Sequence, residues 1–435
     1  MKIQSPPTYN PVDRWKILEK VLKSIEDNPK FKEFLYIQSE GKYVHWDKFR
    51  RIPLPFDDIS HQEAWIFIDY LRGLSKQVIL LGEHTFSFNL PKILLKKLHI
   101  LDLHFGGTLK STFKNSDINT NFYLHSSLIE EAIRSSQVEG ASTTRKVAKE
   151  MIETGRKPLT IDERMILNNY KAMEYIIRHE NEVLSEDHIL TLHGILTDGT
   201  LEDENEVGAY RHSDDVLVVD TVTNETLHTP YEAKKIPKIM EDFISFFNVR
   251  HYEGETFIHP ILVGIMIHFF IGWIHPFVDG NGRTARGLFY WYLVKNNYWM
   301  VEHISISRSI KRSTTDYKNA YLYSETDKNN ITYFLNYNLD CLIQGLDDFK
   351  VYISRKQEKE KFLKTLQHKK NITVRQSEIF MFLKKKTGII FTVRQIAEIF
   401  SISKNMARID LEVLVQNGSI LKKHINKKSF GYISN

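Results

Sequence analysis

The sequence predicts a mainly α-helical protein. The first observation is a pair of apolar segments, residues 257–274 and 287–294, which flank a polar loop at residues 275–286 and indicate two buried helices. The second is the helical spacing of apolar residues in most of the remaining chain. The third is that only one clear β-hairpin, at residues 216–229, is predicted in the central part of the chain.

The composition is that of an ordinary globular protein of two to four domains, with 435 residues, 42% hydrophobic and 26% charged. A single cysteine, Cys341, excludes an internal disulfide framework and favours a reducing compartment. The N-terminus has no apolar signal-peptide core, and the apolar run at residues 261–274 is too short to cross a bilayer. We therefore expect a cytoplasmic protein with no membrane partner.

Residues 1–117 are expected to form a mainly helical N-terminal domain. Helical periodicity occurs at residues 12–22, 60–74 and 92–103, whereas residues 42–47 alternate like a short strand. The histidines of this region are scattered, and no motif in it carries recognisable chemistry.

Residues 118–346 are expected to form a central helical domain with one β-hairpin. The hairpin is predicted from short apolar runs at residues 216–219 and 227–229 around a polar turn at Asn224. Helices are expected at residues 121–140, 160–179, 185–196 and 231–247, and on both sides of the loop at residues 275–286.

The sequence predicts a helical linker at residues 347–370 and a winged helix-turn-helix domain at residues 371–435. Three helices are expected at residues 376–385, 392–400 and 403–416, followed by a hairpin, or wing, at residues 419–425 and 428–433. From Arg355 onward the chain has 18 Lys and Arg against 6 Asp and Glu, so a basic tail follows an acidic body.

The basic wing suits contacts with phosphates, which makes DNA a candidate partner. Its cations are Lys422, Lys423, Lys427 and Lys428. A protein-docking or dimerisation role is the alternative, because Asp410 and Glu412 lie on the candidate recognition helix.

The loop reads His275-Pro-Phe-Val-Asp-Gly-Asn-Gly-Arg-Thr-Ala-Arg286 and predicts an anion site. Gly280 and Gly282 around an asparagine let backbone N–H groups converge at the start of a helix. Arg283 and Arg286 are three residues apart, share one helix face and can each hold a phosphate.

Two further residues of the loop predict the chemistry at the phosphates, namely metal binding and proton transfer. Asp279 beside a phosphate site is a natural Mg²⁺ ligand, because Mg²⁺ prefers one or two carboxylates plus substrate phosphates. His275 can accept a proton from a hydroxyl near neutral pH. The loop therefore indicates nucleotidyl or phosphoryl transfer to a hydroxyl, and the alternative is a turn whose glycines are structural and whose arginines are solvated.

The loop resembles the motif of the Fic family, HxFx(D/E)GNGRxxR, at every specified position. This resemblance, over roughly residues 120–340, implies a helical core with one β-hairpin flap and AMPylation, the transfer of AMP from ATP to a protein Ser, Thr or Tyr hydroxyl. It also implies that the intact glycines disfavour the kinase-like branch of the family.

The resemblance assigns a role to each position of the motif. His275 is implied as the general base, Asp279 as the Mg²⁺ ligand, and Phe277 as the anchor of the loop. Gly280 and Gly282, with Asn281, would cradle the α- and β-phosphates. Arg283 would contact the β-phosphate and Arg286 the γ-phosphate.

The hairpin is similar to the flap on which the family docks a target protein by strand addition. The expected flap residues are Val216, Leu217, Val218 and Val219. The sequence departs from the family after Arg308, where residues 313–318 keep only Tyr317 of an Asn-Arg and two-tyrosine pattern. Because that helix borders the nucleotide base, UTP or another diphosphate is an alternative donor.

Ser135-Ser-Gln-Val-Glu-Gly140 resembles the family's inhibitory pattern, (S/T)xxxE(G/N), with Ser135, Glu139 and Gly140 at its fixed positions. A carboxylate at Arg286 would form a strong ion pair and take the place of the γ-phosphate. The resemblance therefore implies a class inhibited by an N-terminal helix. It also leaves open that Glu139 activates water to remove AMP, and that the chain dimerises. The non-enzyme alternative is a DNA-binding regulator whose Fic-like body senses nucleotide.

Overall fold

The structure is a computed structural model. It describes residues 3–55, 57–107, 120–219, 226–253, 256–370, 372–386, 388–400, 402–426 and 429–434. By their internal contacts the residues form two compact units, Met1–Asp347 and Asp348–Asn435. The expected domain boundary between residues 117 and 118 lies outside the described residues, as do the hairpin turn at 220–225 and the wing residues Lys427 and Lys428.

The first unit begins with helices and one β-hairpin. In order these are α1 (Pro11–Asp27), α2 (Pro29–Tyr36), α3 (Trp46–Phe49), α4 (His61–Leu74), β1 (Gln77–Leu81), β2 (His84–Phe88) and α5 (Lys92–Asp102), with π-helical turns at Ile37–Gly41 and Leu103–Gly107. Helices α1 to α4 enclose an apolar core that includes Phe31, Phe49 and Trp65. The helices expected in this region are therefore confirmed.

The prediction of a strand at residues 42–47 is wrong. Tyr43 has a φ of 49°, in the left-handed region, which breaks an extended course. His45 then caps α3, because its Nδ1 accepts from the Asp47 N–H at 3.1 Å. The strands lie instead at β1 and β2, which pair antiparallel around a turn at Gly82, whose φ of 57° favours glycine.

Strand β2 joins this region to the central helices of the same unit. The Ser87 N–H donates to the Asn329 carbonyl at 3.0 Å, and the Ile331 N–H donates to the Ser87 carbonyl at 2.8 Å. The Asn89 N–H donates to Thr332 Oγ1 at 2.9 Å. The N-terminal elements and the helix that starts at residue 332 therefore belong to one packed body.

The rest of the first unit is helical apart from one short hairpin. Its elements are α6 (Thr120–Val138), α7 (Arg145–Thr154), α8 (Ile161–Arg178), α9 (Glu186–Thr197), β3 (Val218–Val219), β4 (Thr226–His228), α10 (Ile236–Asn248), α11 (Pro260–Ile274), α12 (Asn281–Lys295), α13 (Ile306–Arg312), α14 (Thr314–Thr326) and α15 (Thr332–Lys370). Helix α15 continues into the second unit, so the linker helix expected at residues 347–370 is the later part of a longer helix. Among the described residues, no helix is both long and apolar enough to cross a membrane.

Helices α11 and α12 form the centre of the first unit and are almost entirely buried. Pro260 is favourable at the first position of α11, where its missing N–H would have no partner in the helix. Helix α11 ends at Ile274 and is followed by His275, which has a left-handed φ of 53°, and α12 begins directly after Gly280. The polar loop is therefore held between two fixed helix ends.

The predicted hairpin is present but shorter than expected. Val218 pairs with His228 and Val219 pairs with Thr226, with a bulge between them. Val216 and Leu217 precede strand β3 and are not part of it.

The second unit contains three short helices and a hairpin, at the expected positions. Its elements after α15 are α16 (Val374–Lys385), α17 (Val393–Ile399), α18 (Lys404–Gln416), β5 (Ile420–Asn426) and β6 (Ser429–Ser434). Asp410 is buried and pairs with Arg375, and Glu412 pairs with Lys422. Both acidic side chains of the candidate recognition helix are thus engaged by other residues of the unit.

Candidate active site

A buried asparagine fixes the shape of the loop at residues 275–286. The Phe277 N–H donates to Asn281 Oδ1 at 2.9 Å, and Asn281 Nδ2 donates to the Phe277 carbonyl at 2.8 Å. Gly280 has a φ of 81° and precedes the first turn of α12. Because the Asn281 side chain is used within the loop, a ligand would meet the backbone N–H groups of residues 280–282.

His193 on α9 packs against the loop and hydrogen-bonds to it. Its ring stacks on Phe277 with centroids 3.7 Å apart, and its Nε2 lies 2.9 Å from the Asp279 carbonyl. The Gly208 N–H donates to His193 Nδ1, so the proton must be on Nε2, which donates to Asp279. Burial lowers the pKa of His193 to about 4, which keeps this neutral form at pH 7.

Arg211 ties the start of the loop to the segment before the flap. Its Nε donates to the His275 carbonyl at 2.8 Å, and its backbone N–H donates to the Pro276 carbonyl at 2.9 Å. Its guanidinium also donates to the carbonyls of Ser213 and Tyr231. Arg211 is therefore a buried structural cation at the entrance of the loop.

His275 is placed to act as a base. Its Nδ1 lies 3.3 Å from the Gly272 carbonyl, which favours a proton on Nδ1 and leaves Nε2 able to accept one. Burial is the largest cause that lowers its pKa, to about 4, and the charges of His228 and Arg211 act in the same direction. His275 is therefore neutral at pH 7, the form that a general base requires.

Asp279 and Arg283 form an ion pair at the other end of the loop. Arg283 Nη2 donates to Asp279 Oδ2 at 2.8 Å, and its Nη1 donates to the Leu196 carbonyl at 3.0 Å. The Arg283 side chain is fully buried, whereas the Asp279 side chain is 55% exposed. The two predicted residues thus lie together, with the carboxylate open to solvent.

This carboxylate fits Mg²⁺ only together with a phosphate-bearing substrate. In the described part of the chain, no group of three or more His, Cys, Asp or Glu side chains could hold a metal ion. Mg²⁺ does not need such a cluster, because substrate phosphates and water complete its octahedral shell. The half-exposed Asp279 beside the backbone of residues 280–282 could supply one carboxylate ligand to such an ion.

Arg286 is buried in α12 and faces the end of α6. Its Nε donates to Ser135 Oγ at 3.0 Å, and its Nη2 donates to the Ser135 carbonyl at 3.1 Å and to Glu139 Oε1 at 2.8 Å. Burial alone would lower the pKa of Arg286, but the Glu139 carboxylate raises it. The structure therefore brings Ser135 and Glu139 to Arg286, which lies about 150 residues later in the sequence.

The Glu139 carboxylate lies directly over Gly282. A Cβ atom placed on Gly282 would be 2.2 Å from Glu139 Oε1 and 3.2 Å from Arg286 Nη1. Helix α6 ends at Val138, and Gly140 has a φ of 104°, so the chain turns there and directs Glu139 toward the loop. The carboxylate thus occupies the position that the loop offers to an anion.

A second carboxylate fixes α6 against the core. Glu131 is buried and accepts from Ser305 Oγ at 2.8 Å and from the Ser307 N–H at 3.2 Å. Burial raises the pKa of Glu131, although these hydrogen bonds oppose the shift. The end of α6, which Glu139 follows directly, is therefore held in place by polar contacts about two turns earlier in the helix.

A cavity of about 260 Å³ opens above the loop. His275, Gly282 and Glu139 line it together with Val218 and Val219 of the flap, whereas Val216 and Leu217 do not. Tyr317, the one tyrosine kept from the family's two-tyrosine pattern, lines the cavity. Its hydroxyl oxygen lies 3.0 Å from His268 Nε2. Tyr321, one turn further along α14, lines it as well.

Several residues of the site carried no signal in the sequence. His193, Arg211, His228, Tyr321 and Glu325 come from four separate segments, and none belongs to a motif. A histidine at a buried position of α9 was a weak sign for His193, because the neighbouring face is apolar. Arg211 reaches the loop, and the other three reach the cavity above it, only through tertiary packing.

Comparison with known proteins agrees with this geometry. Residues 183–293, which include the loop, match the Fic/DOC family. A protein adenylyltransferase Fic from Nematostella vectensis is 29% identical over 160 residues, which cover 35% of this chain and 34% of that protein. The protein of the same name from Drosophila melanogaster is 28% identical over 120 residues, covering 28% of this chain and 22% of that protein. The chain thus spans about a third or less of the length of these relatives.

Two solved structures are also similar in part. A Fic family protein from Desulfovibrio desulfuricans has a TM-score of 0.49 and 16% identity, over 79% of this chain and 94% of that chain. A Fic domain containing signaling protein from Bacteroides thetaiotaomicron has a TM-score of 0.45 and 21% identity, over 59% of this chain and 93% of that chain. From its matched residues and the complete loop motif within them, the chain carries a domain of the Fic/DOC family.

Proposed function

We propose that this chain is a protein adenylyltransferase, which transfers AMP from ATP to a Ser, Thr or Tyr hydroxyl of a protein, itself included. The observation that carries the proposal is the Glu139 carboxylate over Gly282, paired with Arg286 at 2.8 Å. A protein anion at this point indicates a site built for a substrate anion. The names of the relatives, protein adenylyltransferase Fic, support the same reaction.

In the proposed reaction, His275 Nε2 accepts the proton of the target hydroxyl as its oxygen attacks the α-phosphorus of ATP. The bond from the α-phosphorus to the bridging oxygen breaks, and pyrophosphate leaves. The backbone N–H groups of residues 280–282 would hold the α- and β-phosphates, and Arg283 the β-phosphate. When bound at Asp279, Mg²⁺ would neutralise charge on the phosphates.

We further propose that Glu139 holds the enzyme inactive. Its carboxylate takes the Arg286 contact and the space over Gly282 that the γ-phosphate would use. ATP could then bind only with its phosphates displaced from the line of attack. Water activation by Glu139, leading to AMP removal, is the alternative role for this side chain.

The experiment compares the wild-type chain, Glu139→Gly, and the double variant Glu139→Gly/His275→Ala, each with Mg²⁺ and ATP radiolabelled at the α-phosphate. An Arg–carboxylate contact contributes roughly 2 to 3 kcal/mol, and each 1.4 kcal/mol corresponds to about tenfold in rate. We therefore expect Glu139→Gly to raise self-labelling at least about tenfold, and the double variant to lose it.

Equal labelling by the wild type and Glu139→Gly would exclude the inhibitory role. Glu130→Ala is the matched control, because Glu130 lies on the same helix but pairs with Arg134 and Arg145. A panel of nucleoside triphosphates and UDP-sugars tests the alternative donors. Loss of label from modified protein, dependent on Glu139, would support AMP removal.

We propose that the flap receives the target protein, because Val218 and Val219 line the cavity beside His275. Labelling of a cell lysate by Glu139→Gly, followed by mass spectrometry of modified peptides, would identify the target and the modified residue.

We also propose that the second unit is a winged-helix module that binds DNA, which rests on its basic sequence. Of the wing cations, Lys422 pairs with Glu412 within the unit. Salt-dependent retention of the full chain on DNA would support this. Retention without any nucleotide transfer by either the wild type or Glu139→Gly would instead favour the nucleotide-sensing regulator.

A further inference from the structure

His228, on strand β4 of the flap, forms hydrogen bonds through both of its ring nitrogens. Its Nδ1 lies 3.0 Å from Glu325 Oε1, and its Nε2 lies 2.8 Å from the Trp273 carbonyl. An ionised carboxylate and a carbonyl can only accept hydrogen bonds, so each ring nitrogen must carry a hydrogen. The contacts therefore describe a positively charged imidazolium paired with a carboxylate.

This pair joins three elements at one point beside the catalytic loop. His228 belongs to β4, Glu325 to α14, and Trp273 to the last turn of α11, two residues before His275. His228, Glu325 and His275 all line the cavity above the loop. The flap is thus connected to the chain segment that positions the proposed base.

We propose that His228 is a positioning residue that, as an imidazolium held by Glu325, fixes the flap strand at the end of α11 and so sets a docked target hydroxyl within reach of His275. This inference rests on the proposed function. Val218, which lines the cavity, pairs directly with His228 in the hairpin. Movement of His228 would therefore displace the strand on which a target segment would dock.

The same charge favours the reactive form of His275, because a second positive charge nearby is unfavourable. Burial lowers the pKa of His228, but the hydrogen bond and charge of Glu325 raise it overall. Titratable or charged groups also face this region from the other elements packed around it. They are Tyr317, Lys318 and Tyr321 from α14, Arg211 before the flap, Glu139 after α6, and His84 of β2 against the Trp273 ring.

The first test is the protonation state of His228, which requires no activity. NMR of the chain labelled with ¹⁵N-histidine, with His228→Gln to assign the signal, should show both nitrogens of His228 protonated at pH 7. Glu325→Gln should lower the pKa of His228. A neutral His228 at pH 7, or a pKa unchanged by Glu325→Gln, would overturn the proposal even if the chain transfers AMP.

The second test is the pH dependence of self-labelling in the Glu139→Gly chain, with and without Glu325→Gln. Loss of the carboxylate should let His228 lose its proton at lower pH, so the alkaline fall in rate should begin earlier. The pH range of activity should therefore narrow from its alkaline side.

At the pH optimum we expect Glu325→Gln to lower the rate constant of labelling by roughly tenfold, because misplacement of reacting groups is costly, while KM for ATP stays within about twofold. Glu232→Gln is the control, since Glu232 is exposed and pairs with Lys234 and Lys235. Unchanged pH limits with a lowered rate would indicate a merely structural role and overturn the proposal. A chain without labelling would refute the proposed function and leave the NMR result to decide the state of His228.

Discussion

The catalytic loop, residues 275–286, and the flap, strands β3 and β4, face the same cavity but are held in different ways. The loop is fixed from inside by Asn281 and from outside by His193 and Arg211, and all three side chains are buried. The flap consists of strands of two and three residues, and its Val219 is 38% exposed. Among the described flap residues, His228 makes the polar side-chain contacts to the helices behind it.

The difference follows from what each region has to do in the proposed reaction. A base and an anion site lose much of their effect when they are misplaced by an ångström, so they need a rigid surrounding shell. A flap that pairs with an extended segment uses mainly backbone hydrogen bonds and tolerates exposed side chains. Three substitutions would test this comparison.

The largest effect is expected for Gly282→Ala in the Glu139→Gly chain. The added methyl would occupy the space that Glu139 Oε1 fills in the wild type, where a phosphate oxygen is proposed to lie. We expect self-labelling to fall about a hundredfold, measured with radiolabelled ATP. Gly287→Ala in the same helix is the control, because its Cβ would meet Ile176 and Leu192 no closer than 3.4 Å. Similar losses for both variants would contradict a phosphate site over Gly282.

An intermediate effect is expected for Asn281→Ala, which leaves the Phe277 N–H and carbonyl without their partner. Leaving buried polar groups unpaired costs about 1 to 3 kcal/mol, so the free energy of unfolding should fall by that amount. Tryptophan fluorescence during urea unfolding reports on the first unit alone, because all 6 tryptophans precede residue 348. The exposed Asn205→Ala should change stability little, and an equally stable Asn281→Ala would show that the loop is not held as described.

The smallest effect on stability is expected for Val219→Ala in the flap. A partly exposed side chain on a short strand contributes little, so the free energy of unfolding should change by less than about 0.5 kcal/mol. Labelling of other proteins in a lysate should nevertheless fall relative to the Glu139→Gly parent. A large loss of stability would mean that the flap is part of the rigid shell, and the comparison with the loop would fail.

The sequence was most informative where the chemistry is local. The residues of the loop lie within a dozen positions, and their spacing between two apolar segments predicted both the helix ends and the anion site. Pairing of Glu139 with Arg286 was also predicted, from a second motif, and the contact is present at 2.8 Å. Its inhibitory role stays a prediction until labelling is measured.

The sequence was least informative where weak local preferences compete. Residues 42–47 alternate like a strand, but the cap formed by His45 and the left-handed Tyr43 give a bend and a helix instead. The expected flap strand began at Val216, whereas pairing begins at Val218, because strand limits depend on the partner and not on apolar character alone.

The sequence by itself determined the helical class and the loop with its histidine, its arginines and its glycines. These follow from residue types at short spacings, which local geometry converts directly into shared helix faces and converging backbone groups. The acidic residue that meets Arg286 was predicted from the resemblance of residues 135–140 to a family pattern, because the two residues are 147 positions apart. Only the tertiary structure decided that His193 and Arg211 support the loop, and that His228 pairs with Glu325 beside it. Those contacts join segments tens to about a hundred residues apart, and their energies depend on burial and distance, which exist only once the chain is packed.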